Sequence, residues 1–307
     1  MLETTLPYSG PLSLLLITLL GYFLSRFQFS SKQLALFLSR LLIWVCYPSL
    51  IFLRLTENFT KERFLTSWKL ILIPPIIFLI GYLAGRVILK AYIHQHPRTQ
   101  QTLGFLATVP NYIFLPVAIA AVFYSEKTQA ALILASIGAE LALWGAAIPM
   151  IRRGRIFGRQ LINPPIVVAL VSLAFIVFEI PTPHLVKAAE DQMGALGKAA
   201  IPVSFFLLGH YLGTTPMISR FGGPHWAIIL IRLIIVPILS FFPIYLLTDP
   251  NEVRQVMLLV ATMPAAIASV VLCSVYQGDV RIAGGLVLAT QAIGLITVPF
   301  WMLIGYP

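Results

Sequence analysis

Charge is scarce in this chain. Only 10% of its 307 residues are Asp, Glu, Lys or Arg, against roughly 25% in a soluble globular domain. Acid is scarcer still, with 11 Asp and Glu set against 21 Lys and Arg. No polar stretch is long enough to make a soluble domain, a low-complexity tail or an extended linker. There are two cysteines, Cys46 and Cys273, each inside an apolar stretch and without metal-type spacing. That excludes a disulfide framework or a zinc module and leaves small buried hydrophobes. Period-two alternation is missing too, and a transmembrane β-barrel requires it. Nor do the apolar stretches hold paired aspartates, a Ser-His pair or a His-rich cluster. An intramembrane enzyme or sensor would need one of these, so the chain reads as a non-enzyme.

What is present is hydrophobicity, at 59% of the residues. Apolar runs of about 20 residues recur along the chain, each long enough to cross a ~30 Å hydrocarbon core as a helix. The spans read as 11–27, 34–54, 66–90, 102–124, 129–150, 163–180, 195–212, 225–247, 254–276 and 282–304. Before the first there is Glu3 but no Lys or Arg, and no small-x-small site follows it, so it reads as a retained helix and not a signal peptide. The expected fold is an all-α polytopic membrane protein of ten transmembrane helices.

The two halves echo each other. ATVPN (107–111) and ATMPA (261–265) are offset by 154 residues, and the same offset carries Pro48 to Pro202, LILAS (132–136) to LVLAT (286–290) and Pro11 to Pro165. Residues 1–154 and 155–307 therefore read as two copies of a five-helix repeat. Five is odd, so the second copy enters the bilayer inverted, a construction of secondary transporters. Charge placement agrees. If the loop with Arg152, Arg153, Arg155 and Arg159 is cytoplasmic, the odd-numbered loops and their flanks hold twelve basic residues and one acid, Asp279. The other face holds eight basic residues and nine acids. The positive-inside rule then places both termini outside the cytoplasm of a plasma membrane. The net charge of +10 serves that orientation and not nucleic acid, because the basic residues scatter at span ends.

Pro110 lies about eight residues into the fourth span, Pro116 six further on, and Pro264 about ten into the ninth. A proline inside a helix removes a hydrogen bond and crowds the carbonyl four residues back. Such breaks are tolerated at membrane depth where they are buried in protein or line a wet cavity. One reading is an ordinary kink. The other is an exposed pair of half-helix ends, N-termini favouring anions and C-termini cations. Asn111 follows the first proline as a polar amide at membrane depth, a ligand reader or helix-packing glue, whereas Ala265 leaves the second break with little but backbone. Pro74, Pro75, Pro237 and Pro243 read as kinks, and Pro164, Pro165, Pro181 and Pro183 as helix boundaries.

VPNYIFLP (109–116), MPAAIASVVLCSVY (263–276), AAIPVSFFLLGHYLG (199–213) and NPP (163–165) together resemble the auxin efflux carrier family, which includes the plant PIN-formed proteins and bacterial relatives. The resemblance covers essentially the whole chain. It implies the fold group of the bile acid/sodium symporters: two inverted five-helix repeats with helices four and nine broken and crossing. It also implies an elevator-type carrier, often a homodimer, for a small organic carboxylate such as auxin, malate or malonate. Helices 1, 2, 6 and 7 would form the scaffold, and helices 3–5 and 8–10 the moving part. Pro110, Asn111 and Pro264 match the crossover positions, with Pro116 and Ala265 beside them. No cofactor is implied beyond sodium or a proton as coupling ion, and a sodium-coupled symporter of the bile-acid type is the alternative.

Glu140 lies about eleven residues from either end of span five. A carboxylate there must be protonated, paired or ion-bound, so it is expected to couple transport or to partner a cation such as Arg232. Thr108, Asn111, Thr262, Ser269, Ser136 and Gln291 are the candidate oxygen ligands for sodium. Arg232, about seven residues into span eight, is roughly 10 Å from its cytoplasmic start at 1.5 Å per residue. It is expected to snorkel to the interface, with substrate contact as the alternative. Lys198 and His210 are expected at the interface, and His94, His96, His184 and His225 in loops.

Overall fold

With no water to satisfy backbone N–H and C=O groups, apolar segments must close their hydrogen bonds internally. The structure, a computed structural model, shows this outcome over the residues it describes, 9–92, 95–151, 164–181, 188, 190–214, 221–249 and 252–305. Helices account for nearly all of them. In chain order they are α1 (Ser9–Arg26), α2 (Gln33–Asn58), α3 (Lys61–Tyr92), α4 (Pro97–Thr108), α5 (Phe114–Phe123) and α6 (Glu126–Ile151). There follow α7 (Pro164–Val177), α8 (Asp191–Thr214), α9 (Gly223–Leu247), α10 (Glu252–Thr262), α11 (Ala268–Val275) and α12 (Val280–Ile304). Six of these, α2, α3, α6, α8, α9 and α12, are long and apolar enough to cross a membrane. Leu295, Ile296 and Leu303 on α12 and Phe242 and Leu246 on α9 are each more than 70% exposed, which suits lipid and not water.

Local chemistry starts and bends the helices. The Ser31 hydroxyl accepts from the Leu34 N–H, the Thr60 hydroxyl from the Arg63 N–H, and the Asp279 carboxylate from the Ile282 N–H. Each thereby caps a helix N-terminus. Three π-helical turns interrupt the long helices at Leu42–Cys46, Leu143–Ala147 and Ile231–Ile235. Each ends two residues before a proline, Pro48, Pro149 or Pro237. Because a proline ring crowds the carbonyl four residues back, a widened turn relieves the clash and shifts the phase of the helix. Pro237 thus sets a π turn where a simple kink was expected.

Packing is concentrated in two groups, which meet where α2 packs on α6. α1 lies along α8, and α2 packs on α7 and α8. Separately, α3 packs on α4, α6 and α9, while α12 packs on α4, α10 and α11. Small residues allow the close approaches. A Cβ on Gly209 would overlap the Thr18 carbonyl of α1, and one on Gly138 in α6 would overlap the Ile71 carbonyl of α3. Neither obstacle is a flexible side-chain tip. Gly138→Val is therefore expected to abolish the monodisperse peak on size-exclusion chromatography, or to lower the unfolding midpoint by more than about 5 °C. A wild-type profile and midpoint would refute the close packing of α6 on α3.

Candidate functional site

α4 stops at Thr108 because Pro110 cannot donate to its last turn and forces the preceding residue out of the helical region. Val109 is extended, with φ −97 and ψ 105. α10 stops at Thr262 for the same reason, two residues before Pro264. Residues 109–113 and 263–267 are left unwound. The two stretches run antiparallel and bond to each other. The Asn111 N–H donates to the Pro264 carbonyl at 2.8 Å, and the Ala266 N–H to the Val109 carbonyl at 3.2 Å, as a bridge between Pro110 and Ala265. Each proline frees backbone groups, and the other break takes them up. That is how non-helical backbone is tolerated in a fully buried place. Pro116, by contrast, sits in the first turn of α5, where its missing N–H would have no partner in any case.

Each break has a brace. For the first, the Tyr112 hydroxyl donates to Glu140 Oε1 at 2.7 Å, and Trp144 Nε1 donates to Glu140 Oε2 at 2.9 Å. Phe78 packs on Tyr112 with ring centroids 5.9 Å apart. Glu140 is buried, and both its oxygens accept hydrogen bonds to a carboxylate, among the stronger kinds. Its partners are these two side chains and not Arg232. For the second break, the Ala265 N–H donates to Thr290 Oγ1 at 3.3 Å, and Gln291 Nε2 donates to the Ala265 carbonyl at 3.3 Å. Gln291 thus belongs to the crossing, though as a clamp on backbone. Thr290 was not among the expected site residues. Its signal was the match of LVLAT to LILAS, where Ser136 takes the equivalent place.

Arg232 corrects the sequence reading. It does not snorkel; its side chain is fully buried. Nη1 donates to the Ala107 carbonyl at 3.3 Å and Nη2 to the Met263 carbonyl at 3.0 Å. It sits in the π turn before Pro237, which faces it toward the ends of α4 and α10. His210, near the end of α8, is likewise buried, with Nδ1 2.9 Å from the Ser30 hydroxyl.

The remaining candidates divide. Thr108 and Thr262 end the two half-helices and donate to their own helix carbonyls, Gly104 at 2.8 Å and Leu259 at 2.9 Å. Ser136 donates to the Ile133 carbonyl at 2.7 Å and accepts from the Tyr47 hydroxyl at 3.2 Å. Two of these candidates are buried with hydrogen-bonding capacity unused, the Ser269 hydroxyl and Asn111 Nδ2. The Arg152, Arg153, Arg155 and Arg159 loop, with His94 and His184, lies outside the described residues.

Electrostatically the crossing brings two helix C-termini and two N-termini together. The C-terminal carbonyls have a guanidinium, whereas α5 and α11 begin with N–H groups that favour negative charge. A groove of about 420 Å³ between α3, α4 and α6 is lined by Tyr82, Arg86, Lys90, Gln100, Gln101 and Met150, among others. Met150 Sδ, at its edge, is 4.0 Å from Thr108 Oγ1.

The chain is similar to proteins of known class. The sequence profile described as "Membrane transport protein" matches residues 11–155 and 155–302. An uncharacterized transporter of Methanocaldococcus jannaschii is 25% identical, covering 96% of this chain and 98% of the relative. An uncharacterized transporter of Methanothermobacter thermautotrophicus is 26% identical, covering 95% of this chain and 96% of the relative. An all-helical, lipid-facing protein matched over almost its whole length belongs to the membrane transport protein family, the auxin-efflux-carrier group that its crossing motifs resemble.

Proposed function

We propose that this transporter is a secondary carrier for a small organic carboxylate, built as two inverted five-helix repeats and working by elevator-type alternating access. The observation that carries the reading is the crossing itself: two proline-broken segments bonded antiparallel, with the Asn111 amide buried beside them and its NH2 group unused. An anion there meets the N-terminal ends of α5 and α11 and the Asn111 Nδ2 group. Access would run through the groove with Arg86 and Lys90, whose charge attracts anions. Glu140 serves the site by holding Tyr112, the residue next to Asn111, in place.

The packing supports a scaffold of α1, α2, α7 and α8, with the remaining helices as the moving part. A homodimer through the scaffold, in a plasma membrane with both termini non-cytoplasmic, completes the proposal. Thermal unfolding of detergent-purified protein over a panel of mono- and dicarboxylates tests it. At least one carboxylate is expected to raise the midpoint saturably and to be taken up by proteoliposomes. If no carboxylate does either, the anion reading fails.

A further inference from the structure

Two helix C-termini buried side by side are an electrostatic problem. Each carries about half a negative charge on carbonyls left without intrahelical donors. In broken-helix carriers, such ends and the unwound carbonyls next to them are where a coupling cation is bound. Here Ala107 lies in the last turn of α4 and Met263 directly follows α10. The carbonyls of both accept from one side chain, Arg232.

Arg232 is not half of an ordinary ion pair. The salt bridges among the described residues are Arg54–Glu126 and Lys61–Glu179. Among the described residues the one buried carboxylate near the crossing, Glu140, is taken by Tyr112 and Trp144. Its counter-charge is therefore the pair of helix ends, whose two half-charges sum to about one. Hydrogen-bond fit alone does not explain the residue, since Nε is buried without a partner. Positive charge at that point does.

We infer that Arg232 is a tethered cation, occupying as part of the chain the place between the α4 and α10 C-termini where a free monovalent cation would otherwise bind. Removing the tethered charge exposes the Ala107 and Met263 carbonyls. The Thr108 and Thr262 hydroxyl oxygens, at the same two helix ends, remain to complete a set of hard oxygen donors for sodium. A guanidinium ion fits the vacated volume directly. The consequence for coupling rests on the carrier reading: a carrier with this charge built in needs no sodium. The cation locus itself does not depend on what is transported.

The test compares wild type, Arg232→Ala, Arg232→Gln and Arg232→Lys by thermal unfolding in choline chloride. Each is titrated with sodium, potassium or low-millimolar guanidinium at constant ionic strength. Wild type and Arg232→Lys are expected to show no saturable response. Arg232→Ala and Arg232→Gln are expected to start lower and to gain a saturable rise on the order of several °C from guanidinium or sodium. Three results overturn the inference: a saturable sodium shift in wild type, neutral variants indifferent to all three cations, or neutral variants that yield no folded protein even when prepared in those cations. Failure of the carrier reading would show separately, as absent carboxylate uptake by wild type with these shifts intact.

Discussion

Asn111→Ala is expected to purify like wild type and to bind its carboxylate about 10- to 100-fold more weakly, with uptake into proteoliposomes reduced to match. The magnitude follows from one hydrogen bond to a charged group, about 1.5–3 kcal/mol, at 1.4 kcal/mol per tenfold. The stability half of the prediction is the sharper one. Asn111 Nδ2 is buried without a partner, so the folded protein already bears the desolvation of an unpaired donor, about 1–3 kcal/mol. Deleting it should leave the unfolding midpoint unchanged or raised. Asn111→Asp should be worse for transport than alanine, because it sets a carboxylate against a carboxylate. If Asn111 were packing glue between helices, alanine would instead lower the midpoint and transport would fall only with the amount of folded protein. Undiminished transport in a folded Asn111→Ala protein removes Asn111 from the site.

Glu140 separates bracing from charge. In Glu140→Leu the buried Tyr112 hydroxyl and the half-buried Trp144 indole N–H both lose their acceptor. Two unpaired donors at about 1–3 kcal/mol each should destabilise the protein by roughly 2–6 kcal/mol. That is a large share of the stability of a typical domain, so very low yield or a strongly depressed midpoint is expected. Glu140→Gln keeps the shape. Its carbonyl can accept from Trp144, which can only donate, and its amide can donate to the Tyr112 oxygen. Folded protein with partial transport should result. A Glu140→Leu protein as stable as wild type would show that the brace is dispensable. A well-folded Glu140→Gln protein with no transport at all would show that the charge of Glu140, and not its hold on Tyr112, is what the carrier uses.

Several elements could be read directly from the residues. The apolar runs marked the helices because lipid leaves a backbone few alternatives. Pro110 and Pro264 marked where α4 and α10 end, since a missing N–H acts within one turn. Asn111 stood out because an amide at that depth is unusual in a chain so poor in polar groups. Thr290 was half legible, through LVLAT, but nothing in its own stretch said that it holds the Ala265 N–H.

Arg232 shows where such reading ends. Counting residues from the start of span eight put it within snorkelling reach. Its direction was not a matter of counting. It depended on the π turn before Pro237 and on α4 and α10 both ending opposite that face of α9. Glu140 was similar: its burial followed from position, while its partners came from a segment 28 residues earlier and from one turn ahead. Composition and proline placement acted over one helix turn or one bilayer thickness, so they settled that the chain crosses a membrane and where its helices break. Which broken ends meet, and which buried charge faces them, was decided by the packing of helices far apart in sequence, because a side chain's partners depend on the neighbouring helix and on the rotation of its own.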